Sequence, residues 1–123
     1  MNWVAVAVGG ALGAVLRYGL SGWVQGVTGA FFPWGTLAVN VLGSFILGAG
    51  LHLGTERFLF STEARLLLTT GFCGSLTTFS TFSFETYSLL EEQQWAAAGG
   101  NIALNVALCL AFTYAGVVAA RLI

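Results

Sequence analysis

The sequence predicts an all-α membrane protein with four transmembrane helices, the third of them broken or kinked near its middle. Three observations predict it. Of 123 residues, 57% are hydrophobic and only 7% charged, a balance that belongs to a membrane protein rather than a soluble domain. Four nearly uncharged stretches each reach the roughly 20 residues that a membrane crossing needs. Within the third, Gly71, Gly74 and Ser75 weaken the helix, and eight of the fourteen residues from Ser75 to Ser88 are Ser or Thr. Such side chains can satisfy backbone groups that a break sets free.

The spans follow in order. Residues 3–27 supply the first, and Pro33 punctuates the connection after it. Residues 34–54 supply the second, without a charge, and 55–63 connect it onward through Glu56 and Arg57. Residues 64–90 supply the third, with its break near 73–78. After the link 91–94, residues 95–120 supply the fourth. The links are too short to fold by themselves, so residues 1–123 form one domain. Trp3, Trp23, Trp34 and Trp95 suit an aromatic belt at the membrane surface. Arg57, Arg65 and Arg121 share one side against Arg17 on the other, a lean towards a cytoplasmic N-terminus.

Composition excludes several functions. There are four Arg, five Glu, no Lys and no Asp, with net charge −1. No basic face invites nucleic acid and no polybasic run addresses anionic lipid. Cys73 and Cys109 lie in apolar runs without a disulfide or zinc pattern. The N-terminus lacks the basic region of a cleaved signal peptide and reads as a retained span. No His–Asp–Ser grouping, paired acids within a span or phosphate loop is present, so the chain is not expected to be an enzyme. Gly9-Gly10-Ala-Leu-Gly13 is too short for a nucleotide fingerprint.

The third span carries the chemistry. An unsatisfied backbone group in hydrocarbon costs several kcal/mol, so a break survives only inside protein or beside a polar pathway. Broken helices are where transport proteins place ions. The alternative is a continuous, kinked span whose Ser and Thr bond to their own helix, and the pattern alone leaves both open. Phe79 and Phe82 share a helical face.

Other spans add polar stripes. Asn40, Ser44 and Gly48 recur every fourth residue in span two, as do Asn101, Asn105 and Cys109 in span four. Each stripe faces protein or water, as interhelical glue or as a pathway. Arg17 and Glu85 lie farthest inside their spans among the charges. They are functional candidates, or they snorkel to the interface. His52 reads as an interfacial or packed histidine. Gly9, Gly10 and Gly13, like Gly50 and Gly54, allow close helix approach. Four short spans enclose little interior, so a homo-oligomer is expected, most simply a dimer.

These parts suit a small ion. Amide and hydroxyl donors can solvate an anion without trapping it, and the positive edges of Phe79 and Phe82 can touch one. Carbonyls freed between Gly74 and Thr77 would suit a hard cation. The residues alone lead as far as a small-ion pathway beside a broken helix.

Gly71-Phe-Cys-Gly-Ser-Leu-Thr-Thr-Phe-Ser-Thr-Phe82 resembles the central motif of the Fluc (CrcB) fluoride channels. Gly9-Gly-Ala-Leu-Gly-Ala-Val-Leu-Arg-Tyr18 and Gly35-Thr-Leu-Ala-Val-Asn-Val-Leu-Gly43 extend the resemblance over essentially the whole chain. It implies an antiparallel, dual-topology homodimer in the bacterial inner membrane, with two pores that export fluoride passively from the cytoplasm. It also implies a structural, untransported Na⁺ at the dimer centre, held by the carbonyls of Gly74 and Thr77. By motif position the pathway residues are Asn40, Phe79, Phe82, Ser80 and Thr81. Arg17 and Glu85 match the family's span-one arginine and its acid after the motif. Asn101, Asn105 and Cys109 correspond to its span-four polar track. Ser75 stands where the family usually has Gly, which matters only if the backbone there needs positive φ. The family's arrangement needs both orientations, whereas the arginines lean towards one. Two other functions are set against this one. A proton-coupled exporter of the small-multidrug type needs an acid deep in span one, where this chain has Arg17. A non-transporting scaffold would use the polar stripes only as glue.

Overall fold

The computed structural model describes residues 1–29 and 31–123, and among these all regular structure is helical, with no strand. Helix α1 is Asn2–Thr28. Helix α2 is Trp34–Leu51 and runs on through a π-helical turn, His52–Glu56. Helix α3 covers 62–76: Thr62–Leu66 is α-helical, Leu67–Cys73 is π-helical and Gly74–Leu76 closes it. Helix α4 is Phe79–Glu91 and α5 is Trp95–Arg121. Among the described residues, three stretches are long and apolar enough to cross a membrane: Asn2–Thr28, Trp34–Glu56 and Trp95–Arg121. Helices α3 and α4 are shorter pieces separated at Thr77 and Thr78.

Local chemistry sets the ends. Helix α1 stops at Gly29, whose φ of 59° is left-handed and whose N–H bonds Gln25 O, a common helix stop. The Gln25 side chain also donates to Phe32 O and accepts from Gly35 N at 3.0 Å, clasping α1 to the start of α2. The second span was expected to end at 54. The π turn carries helical winding to Glu56, which shortens the following connection. Ser61 Oγ then accepts from Ala64 N at 3.1 Å and starts α3, an N-cap that stabilises a helix by about 1 kcal/mol.

Backbones pack closely where side chains are missing. A Cβ on Gly9 would run into Leu67 O, and one on Gly13 into Phe72 O. Helix α1 therefore lies directly on the π-helical stretch of α3. Helices α2 and α5 meet the same way, Gly48 on Thr113 O and Gly116 on Phe45 O. Leu37, Val39 and Leu76 fill the small interior, while Trp3, Val15, Trp23 and Leu110 point outward. Such an outward apolar surface suits lipid or another copy of the chain rather than water.

Candidate functional site

The break begins where two extended residues, Thr77 (ψ 155°) and Thr78 (φ −149°, ψ 113°), separate α3 from α4. In an unbroken helix Thr78 N would bond Gly74 O and Thr81 N would bond Thr77 O. Here Thr78 N donates to Asn40 Oδ1 at 2.8 Å, and Thr81 N donates to Thr78 Oγ1 at 3.2 Å. Asn40 and the Thr78 cap thus take the donors that would have occupied the carbonyls of Gly74 and Thr77. Arg17 Nε donates to a third carbonyl, Ser75 O, at 2.9 Å. Gly43 lies against the Thr77 methyl, where any larger residue would push the break away from α2.

Ser75 tolerates its place because positive φ occurs, among the described residues, only at Gly29, Phe58 and Gln93. Gly74 is itself in right-handed helical geometry, with φ −62° and ψ −32°. The break therefore rests on competing hydrogen bonds rather than on glycine-only backbone.

A buried polar chain continues from it. Asn40 Nδ2 donates to Asn105 Oδ1 at 3.0 Å and makes a long 3.5 Å contact with Thr78 O. Asn105 Nδ2 donates to Asn101 O and Oδ1, at 2.9 and 3.0 Å. Asn101 Nδ2 donates to Thr86 Oγ1 at 2.9 Å, and Thr86 Oγ1 donates to Phe82 O at 2.8 Å. All three asparagines and Thr86 are buried.

Beside this chain lies a cavity of about 290 Å³. Asn40, Ser44, Thr77 and Thr78 line one part of it, and Phe79, Phe82, Asn105 and Cys109 another. Among the described residues, no charged side chain lines it. The rings of Phe79 and Phe82 are tilted 52° with centroids 5.4 Å apart. Phe82 is buried, whereas Phe79 is 78% exposed in a single copy.

The remaining candidates, Ser80 and Thr81 among them, do not line the cavity. Ser80 Oγ is 3.3 Å from Thr78 Oγ1, and Thr81 Oγ1 accepts from that hydroxyl at 3.0 Å. Gly74, Arg17 and Asn101 lie behind the break or along the polar chain. Glu85 has a buried Oε1 without a hydrogen-bond partner among the described residues. His52 lies in a different cleft, with Glu56 and Arg121. Sequence reading passed over Thr78 and Thr86, which look like any other hydroxyl in a Ser/Thr-rich run. No group of three His, Cys, Asp or Glu among the described residues is placed to hold a metal. The oxygen donors released at the break are carbonyls, the type a hard cation prefers.

A membrane-crossing helical bundle with a broken helix and an uncharged, largely apolar cavity that a few amide and hydroxyl groups enter belongs to the class of integral membrane proteins that handle small solutes or ions. Comparison with known proteins makes this specific. The chain belongs to the family described as CrcB-like protein, Camphor Resistance (CrcB), which it matches over residues 4–117. The fluoride-specific ion channel FluC of Geobacter sulfurreducens is 52% identical over 118 residues, covering 96% of this chain and 95% of that protein. The protein of that name from Hahella chejuensis is 51% identical over 98% of this chain and 94% of its own length. The one from Roseiflexus sp. is 49% identical over all of this chain and 99% of its own.

Proposed function

We propose that the chain is a passive, fluoride-selective channel of the bacterial cell membrane, a multi-pass protein that lets fluoride leave the cytoplasm and so lowers its toxicity. The observation that carries this reading is the uncharged cavity between Asn40, Asn105, Phe79 and Phe82. Relatives that carry the fluoride-channel name and align along the whole chain support it.

Fluoride holds its water strongly, so a pathway must replace that water in steps and still release the ion. One N–H of the Asn40 amide is engaged with Asn105, while the other makes only the 3.5 Å contact. That second N–H is the donor available to an anion. The tilted rings add positive edges. A guanidinium in the cavity would hold the anion too tightly, and Arg17 is instead turned to Ser75 O.

The functional unit is an antiparallel, dual-topology homodimer in which 64–90 forms a fourth, interrupted crossing. The exposure of Phe79 and Gly74 supports this, since a second copy would cover both. A structural Na⁺ fits the carbonyls of Gly74 and Thr77, whose helical donors are diverted to Asn40 and Thr78. A second copy would supply the same pair. Bound there, the ion contributes positive charge that offsets the converging carbonyl dipoles. It is not transported.

Fluoride efflux from liposomes containing the protein, with chloride as control, tests the function. Selective fluoride release supports it. Equal chloride release, or none of either ion, overturns it in favour of a non-selective pore or a scaffold. Release that requires a proton gradient would point to a coupled exporter.

A further inference from the structure

Thr78, the N-cap of α4, and residues 82 and 86 within it are spaced four apart and so follow one helical face. Thr78 is held at one end of this face by Asn40, and Thr86 at the other by Asn101. The two holding residues are joined through Asn105, so a single line of donors leaves α4 at Thr78 N and returns to it at Phe82 O. Phe82 lies midway between the two attachments. Two points on one face fix both the height of a helix and its rotation; one point leaves it free to swivel.

We propose that Thr86 is a positioning residue for permeation: by accepting from Asn101 and donating to Phe82 O, it locks the rotation of α4 that presents the Phe82 ring to the cavity. Thr86 does not line the cavity and has no contact with the ion; it acts through Phe82. This rests on the channel reading above for its functional half and on the hydrogen-bonded line for its structural half. A hydroxyl is needed because the position must accept and donate at once. Valine has the same shape and can do neither. Serine can do both.

The experiment compares Thr86→Val with Thr86→Ser in the full-length protein. Fluoride efflux is measured alongside the 19F resonance of 4-fluorophenylalanine placed at position 82. Thr86→Val removes both hydrogen bonds of the hydroxyl and should lower flux at least about tenfold and move the resonance. Thr86→Ser should leave both near their starting values. Asn101→Leu, which cuts the same line one bond earlier, should reproduce the Val result and serves if Thr86→Val fails to assemble. Unchanged flux in Thr86→Val, flux loss without a moved resonance, or Ser behaving like Val overturns the proposal. If the unaltered protein passes no fluoride, the channel reading fails, and the resonance alone decides whether Thr86 orients the ring.

Discussion

Asn40 and Thr78 meet at both ends of one side-chain amide: Oδ1 accepts the Thr78 N–H at 2.8 Å, while Nδ2 reaches back towards Thr78 O at 3.5 Å. The asparagine thus stands in for a missing helical turn. It withdraws the N–H that Gly74 O would have received and keeps that N–H satisfied in an apolar surrounding, where leaving it bare would cost about 1–3 kcal/mol.

Asn40→Asp preserves the acceptor for Thr78 but removes the donor to Asn105 and sets a negative charge on the cavity wall. Fluoride flux should fall by at least about a hundredfold, since uncompensated charge in a buried site costs several kcal/mol. Liposome efflux checks this. Flux within a few-fold of the unaltered protein would remove Asn40 from the pathway.

Phe82→Ile keeps an apolar side chain but removes the ring edge. Fluoride efflux should drop at least about tenfold while the protein still assembles, because volume-similar apolar exchanges cost less than about 1.5 kcal/mol. Size-exclusion chromatography alongside the flux assay separates the two effects.

Thr78→Val removes the hydroxyl that caps Thr81 N. Loss of an N-cap costs about 1 kcal/mol, so the thermal midpoint in detergent should fall. Thr78→Ser should restore most of it.

Gly9→Ala places a methyl into Leu67 O and should destabilise the fold by about 1–3 kcal/mol. Gly19→Ala, where nothing lies within 4 Å, is the matched control. Thermal unfolding of both variants reads the difference.

Replacing Na⁺ with a bulky organic cation throughout purification should lower both thermal stability and fluoride flux, with recovery when Na⁺ returns. A protein indifferent to the exchange would leave the Gly74 and Thr77 carbonyls without a cation role.

The sequence made much of this legible because polarity inside an apolar span is expensive and therefore conspicuous. Asn40 stood out for that reason, as did the Gly- and Ser/Thr-rich middle of residues 64–90. The mechanism of the break was less visible. Glycine looked responsible, yet Gly74 has ordinary helical angles and the interruption rests on Asn40 and Thr78 diverting two N–H groups. That pairing joins residues 38 positions apart, beyond any local pattern. Thr86 was hidden by company, since nothing in its neighbourhood distinguishes it from Ser83 or Ser88. The π winding of 67–73 was hidden as well, because a run such as Leu-Leu-Thr-Thr-Gly-Phe-Cys has no composition peculiar to it.

That winding has a consequence for how the chain can change by insertion and deletion. A π turn holds one more residue than the surrounding helix would use, and each α-helical residue advances the helix by about 100°. Deleting a single amino acid between 67 and 73 would let the segment relax to regular pitch. Everything downstream would keep its facing towards α1, with Thr77 still against Gly43, whereas the same deletion in a regular stretch would swing it by that angle. A one-residue change of length is therefore absorbed more readily in this short segment than in the regular helix on either side.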